Sequence, residues 1–255
     1  MSAFSLDLSA FLDSAGLDPT ALAVLVIAAF LGALVQGAIG FGLNLIVAPV
    51  IAVYVPEALP AAAIILALPM TLGSAAREFS HIDRSAILWT TVGRLPGIAV
   101  GLWIVLRLDA ESLATATGGM VLFAVVMSVS SPRIPITPVT QAAAGWLGGV
   151  MGTSSSIGGP PLALLYQHSP GPVVRSTLGA AFLVGTGFSF GALLFAGEVR
   201  ALHWRIGLSL VPAVLLGLFA SRAFHGWLDR GWLRPCVLGL CGLAGVAVVV
   251  DGLAS

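Results

Sequence analysis

Arg94 lies about ten residues into the apolar segment 84–106, in the run TTVGRLPGIAVG. A guanidinium in hydrocarbon is costly enough to mark a functional site by default, and its planar fork of donors fits a sulfonate, sulfite or carboxylate. Two other stretches carry polar groups into greasy surroundings, VQGAIGFGLN over 35–44 and GVMGTSSSIGGPPLALL over 149–165. There Gln36, Asn44, Thr153, Ser154, Ser155 and Ser156 supply uncharged donors. Gly40, Gly42, Gly158 and Gly159 expose backbone that a Cβ would cover. Pro160 and Pro161 suit a first helical turn, where no N–H is needed. A helix end at membrane depth leaves free N–H donors and the positive end of a dipole, so the two breaks and Arg94 together predict a site for a small anion. Thr71, Thr90 and Thr91 are further candidates for its wall. The competing explanation is structural: small residues permit close helix packing, hydroxyls bond back to their own helix, and Arg94 snorkels or pairs with Glu57 or Glu78.

The elements that must position these residues follow from composition. Of 255 residues, 58% are hydrophobic and 9% charged, against roughly 25% charged in soluble domains. Runs such as 20–39, 58–76, 87–106 and 173–196 approach the roughly 20 residues that cross a bilayer as a helix. Nothing alternates as a membrane β-barrel strand does. The chain is therefore predicted to be an all-α integral membrane protein. Taking Gly and Pro as punctuation divides it into segments near 20–38, 41–55, 58–78, 84–106, 111–130, 138–153, 160–169, 173–196, 203–222 and 234–251. Several are too short to span alone, which predicts broken or re-entrant helices. Residues 1–19 carry three aspartates and no arginine, and they are predicted to form a short interfacial segment rather than a cleavable signal.

The halves on either side of the proline-rich linker 131–138 resemble each other. AIGFG at 38–42 aligns with SIGGP at 156–160, and DRSAILW from Asp83 falls opposite HWRIGLS from His203, at a shift of about 118 to 120 residues. This predicts a membrane repeat over 20–130 and a second over 139–255. Five segments per copy is an odd number, so the second copy must sit upside down, as in many secondary transporters. Arginine placement gives both termini outside: Arg77, Arg84, Arg133, Arg175, Arg222, Arg230 and Arg234 fall at cytoplasmic ends, and Arg107, Arg200 and Arg205 at the other. The matching place to Arg94 in the second half is near Val214, so duplication did not demand the charge.

Other side chains fit plainer roles. His81, His168, His203 and His225 sit near segment ends, as do Trp103, Trp204, Trp227 and Trp232, which suit interfacial anchoring. Cys236 and Cys241 are read as small core residues, with no disulfide or metal role. Net charge is zero and there is no basic cluster, so no nucleic-acid partner is predicted. No cofactor is predicted either, and a chain without lysine cannot hold a Walker nucleotide site. The predicted partners are a small anion and the lipid bilayer. The uniformly apolar faces leave a homodimer open.

Taken together, GAIGFGLNLIVAP from Gly37 and SIGGPPLALL from Ser156, each followed by a small-residue helix and then a DR or HWR boundary, resemble the sulfite exporter TauE/SafE family over residues 20 to 251. The resemblance implies a permease of the bacterial inner membrane that exports sulfite or small organosulfonates such as sulfoacetate. Leu43-Asn44 after GFG and the three serines before IGG depart from the usual run of glycines, so the family does not fix the substrate. Arg94, Gln36, Gly40, Gly42, Asn44, Thr153, Ser154, Ser155, Ser156, Gly158 and Gly159 are the expected substrate-binding residues, and His168, Glu57 and Glu78 are candidates for proton coupling. Two rivals stand beside this reading. One is an importer or permease for another anion such as sulfate or a carboxylate. The other is an intramembrane serine hydrolase using Ser154, Ser155 or Ser156 with His168 or His203, against which the stretch lacks a GxSxG elbow.

Overall fold

A computed structural model describes residues 18–77, 81–130, 133–228 and 233–254. These form ten α-helices and a short 3₁₀ turn, with no strand among the described residues. In chain order they are α1 (Pro19–Ile39), α2 (Leu43–Tyr54), the turn Pro56–Ala58, α3 (Ala61–Arg77), α4 (Arg84–Arg107) and α5 (Ala110–Ser130). The second half supplies α6 (Pro138–Ser154), α7 (Pro160–Tyr166), α8 (Gly171–Phe195), α9 (Ala201–Leu228) and α10 (Leu233–Ala254). The predictions for residues 1–17, Glu78, Arg230 and Trp232, and for the side chains of Arg77, His225, Trp227, Arg234 and Cys236, lie outside the described residues.

Local chemistry sets the helix boundaries. Asp18 caps α1 by accepting the Ala21 N–H at 2.7 Å, with Pro19 in the first turn. Asp83 caps α4 through the Ser85 and Ala86 N–H groups. Thr137 and Thr140 form a reciprocal capping box at α6. The first half breaks where Gly40 takes a left-handed φ of 95° and Gly42 a φ of 127°, conformations that an L side chain resists. The second half breaks at Ser155–Gly159, where Ser156 adopts a φ of 63°.

Helices Pro19–Ile39, Arg84–Arg107, Ala110–Val129, Gly171–Phe195 and Ala201–Arg222 contain stretches long and apolar enough to cross a membrane. The surface agrees with that solvent. Ile27, Leu72, Trp103, Val126, Leu216 and Phe219 all point outward, while Gln36, Thr153, Ser176 and Arg94 are buried. Polar groups turned inward and large apolar ones outward is the arrangement expected of a protein in lipid. The chain is a membrane protein.

Helix directions follow from the contacts. A Cβ on Gly93, Gly97 or Gly101 would fall 1.9, 2.2 and 2.6 Å from the carbonyl oxygens of Ala142, Trp146 and Val150, so α4 and α6 run parallel with their backbones touching. Gly217 meets Phe30 and Gly37 meets Ser221, so α9 and α1 also run parallel. Gly207 meets Ile65 and Gly73 meets Leu218, which makes α3 parallel to α9. Gly179 lies beside Ser74 and Ala75, while Ala61 and Ile64 cluster with Leu193, so α3 and α8 are antiparallel. Thr177 pairs with Asp83 and Gly185 with Arg94, making α8 parallel to α4. It follows that α4 and α9 run in opposite directions, with Asp83 and His203 at opposite ends of the bundle.

Candidate functional site

Arg94 sits near the midpoint of α4, only 8% exposed. Room for its side chain comes from missing side chains elsewhere. A Cβ on Gly185 would lie 2.3 Å from the guanidinium carbon, and Cβ atoms on Gly152 and Gly158 would lie 2.6 and 2.9 Å from one of its terminal nitrogens. Glycines from α6, the second break and α8 thus form a slot that only an unobstructed backbone leaves open.

The guanidinium borders a cavity of about 50 Å³ between the two breaks. A single water needs about 10–15 Å³ on this measure, so the space suits a few waters or one compact anion. The first break contributes Gln36, Phe41, Gly42 and Asn44; the second contributes Ser156, Ile157, Gly158 and Gly159. Thr71 on α3 and Phe182 and Thr186 on α8 complete the wall around Arg94. Among the described residues that line it, Arg94 alone carries a charge.

Hydrogen bonds tie the breaks together. The Gln36 Oε1 accepts the Leu43 N–H at 3.0 Å, so the last turn of α1 holds the first turn of α2. Asn44 donates its amide to the carbonyls of Ser156 at 3.0 Å and Ala63 at 3.3 Å, joining the first break to the second. Two carbonyl acceptors fix the orientation of that amide. Its Oδ1 and the Arg94 Nε are both buried without a hydrogen-bond partner. Buried polar atoms rarely stay unpaired, and here both belong to residues on one cavity.

The sequence-predicted site residues divide. Gln36, Gly42, Asn44, Arg94, Ser156, Gly158 and Gly159 meet at the cavity. Gly40 packs instead on the backbone of Arg175. Ser154 and Ser155 give their hydroxyls to the Val150 and Met151 carbonyls one turn back, and Thr153 pairs with Ser189 at 2.9 Å. Thr71 lines the cavity, whereas Thr90 bonds back to Ala86. Glu57 and His168 are exposed and stand off the cavity, so Glu57 does not pair with Arg94. Among the described residues the hydroxyls of Ser154, Ser155 and Ser156 bond to backbone carbonyls, and none is hydrogen-bonded to a histidine.

Sequence reasoning missed Phe182, Gly185 and Thr186. The tripeptide Gly185-Thr186-Gly187 is the only local signal, and it reads like ordinary small-residue helix packing. A polar cluster near the Asp83 end was also missed. The Tyr166 hydroxyl donates to Asp83 Oδ2, Gln141 donates to the Tyr166 oxygen at 2.9 Å, and Ser85 donates to Gln141 Oε1 at 3.1 Å.

No curated protein and no solved structure matches the chain. The family model described as Sulfite exporter TauE/SafE matches residues 25–248. A match over that span, on an all-helical chain with two glycine-rich breaks, establishes that the protein belongs to the sulfite exporter TauE/SafE family of membrane transporters.

Proposed function

We propose that the protein moves a small sulfur oxyanion, sulfite or an organosulfonate such as sulfoacetate, through the cavity at Arg94. One observation carries the reading: a nearly buried guanidinium with an unpartnered Nε faces a cavity in which no described residue offers a negative charge. An uncompensated charge in such surroundings costs several kcal/mol. A bound anion offsets that cost and accepts from the guanidinium fork. Gln36, Asn44, Ser156 and Thr186 supply neutral polar groups around it. The cavity of about 50 Å³ favours an anion of few atoms, with any organic tail directed along the Phe41 and Phe182 side.

Two inverted repeats, over 20–130 and 139–255, frame this site. The support is that exchanging the halves maps the packing onto itself: α4 on α6 becomes α9 on α1, both parallel, while α3 with α8 and α5 with α10 map onto themselves and are antiparallel. In such a frame the repeats rock about a central site and expose it to each face in turn. Arg84, Arg133, Arg175 and Arg222 belong to one end of the bundle, and Arg107, Arg200 and Arg205 to the other, so the positive-inside rule places the first group in the cytoplasm and both termini outside. The membrane is then the bacterial inner membrane. A potential negative inside favours efflux by about 2.3 kcal/mol per charge per 100 mV, so export needs no further energy source.

The test is efflux from proteoliposomes preloaded in turn with sulfite, sulfoacetate, sulfate and acetate under an imposed potential. Flux of sulfite or sulfoacetate that disappears in Arg94→Ala is expected. Flux of sulfate or acetate instead would reassign the anion, and no flux of any from folded protein would remove the anion reading.

A further inference from the structure

Asp83 and His203 occupy matching positions in the two halves, each at the start of the fourth helix, and α4 and α9 point in opposite directions. Each reaches across to the far end of the other half's broken hairpin. Asp83 accepts the hydroxyl of Tyr166, the last residue of α7. His203 contacts the carbonyl oxygen of Glu57, in the turn that follows α2, at 3.0 Å. The His203 Nδ1 accepts the Arg200 N–H at 2.8 Å, which places the ring proton on Nε2 and makes Nε2 the donor to Glu57.

These contacts share a logic that sequence distance hides. The short helices α2 and α7 have one end at the Arg94 cavity and the other held by a polar contact at the end of the bundle. Asp83 stands on the same helix as Arg94, so the Tyr166 contact also sets α7 against the charge. The two are chemically different. The Asp83 carboxylate accepts from the Tyr166 hydroxyl and, at 3.4 Å, from the Gln141 amide, while its backbone N–H donates to the Thr177 hydroxyl; His203 instead holds a backbone carbonyl.

We propose that Asp83 and His203 are positioning residues that latch the two broken hairpins at opposite faces of the membrane, and that releasing one latch opens the Arg94 cavity to that face alone. The inference rests on the alternating-access reading above, and it assigns residues to the two gates that the reading leaves unnamed. The Asp83 latch, with Tyr166 and Gln141 both on its carboxylate, is the more strongly held of the two.

The experiment places a cysteine at Thr186 in the full chain carrying Cys236→Ala and Cys241→Ala. Its rate of modification by trimethylammonium-ethyl methanethiosulfonate, a membrane-impermeant cation, is measured in right-side-out and inside-out vesicles. Tyr166→Phe removes only the hydroxyl, and Asp83→Asn keeps a side chain competent to cap α4. Both are expected to raise the rate from the Asp83 face by up to roughly tenfold, the effect of one lost hydrogen bond, without raising it from the other. His203→Ala is expected to do the reverse. His203→Asn, which retains a cap for the Arg200 region but falls short of Glu57, should match His203→Ala. Rates that rise equally from both faces, or change from neither in folded protein, would overturn the latches. Labelling does not use an anion, so a face-specific pattern in a protein that moves none of the four test anions would support the latches while the substrate reading fails.

Discussion

The α4–α6 and α1–α9 pairs both run parallel, yet their contacts are built differently. Along α4–α6, Gly93, Gly97 and Gly101 pack on the backbone of Ala142, Trp146 and Val150, and Gly145 and Gly149 on that of Thr90 and Arg94. Along α1–α9 the contact narrows to Gly217 against Phe30 and Gly37 against Ser221. At the position matching Arg94 the second pair carries Val214, fully buried. The glycine ladder and the charge occur together for a physical reason. Gly152, Gly158 and Gly185 leave the volume that the buried guanidinium needs, and the ladder brings α6 close enough for Gly152 to wall the cavity. With the halves related as proposed, one charged site stands to one side of a shared scaffold.

The comparison can be broken most strongly at its charged member. Arg94→Ala is expected to reduce anion affinity by about 2–5 kcal/mol, as loss of one partner of a desolvated charge pair does, with little change in thermal stability in detergent. Val214→Ala should do the opposite, costing about 1–3 kcal/mol of stability through a core cavity and leaving affinity unchanged. Equal effects from both would mean that Arg94 is structural.

Next come the crossings. Gly97→Ala puts a Cβ 2.2 Å from the Trp146 carbonyl and Gly217→Ala puts one 2.3 Å from that of Phe30, and a backbone atom cannot swing aside. Each should lower stability by about 1–3 kcal/mol, read as a lower unfolding temperature. Tolerance of Gly217→Ala alone would show that close backbone contact matters only on the charged side.

Gly185→Ala sharpens the contrast, because the atom in its way is the movable end of Arg94 rather than backbone. The guanidinium can shift, so stability should hold while anion affinity falls by about 1–2 kcal/mol, the loss of a well-placed hydrogen bond to a charged group. Binding calorimetry beside a melting curve separates the two effects.

The smallest effect concerns the breaks. A side chain, Gln36, closes the first by accepting the Leu43 N–H, whereas the second is closed by the main chain, with the Ile157 N–H reaching the Met151 carbonyl at 3.3 Å. Gln36→Ala should cost about 0.5–1.5 kcal/mol, and Gln36→Glu, which keeps the acceptor, should recover the stability part of that loss. No change in either variant would mean that the Gln36 contact carries no weight in holding α2.

Much of this was written locally. The helix boundaries were legible because Gly and Pro punctuation acts within a turn of where it stands; the caps at Asp18, Asp83 and Thr137 came from the structure. Arg94, Gln36 and Asn44 were legible because a polar group in an apolar run demands an explanation that composition alone exposes. The hydroxyls at 153–155 were not. Their surroundings turn on whether α6 ends before or after them, and because it continues through Ser154 they bond to helix carbonyls or to Ser189.

What the sequence by itself determined is therefore a membrane bundle with two breaks and a charge that needs a reason. Tertiary structure decided the rest. Phe182, Gly185 and Thr186 lie far along the chain from either break and look like filler, and only parallel packing of α8 with α4 brings them to the guanidinium. Asp83 and Tyr166 are separated by 83 residues, and their contact exists because opposed helix directions carry each hairpin's outer end to the other half. Local rules place a residue on a helix, but the direction of the neighbouring helix, which no short window encodes, decides what it meets.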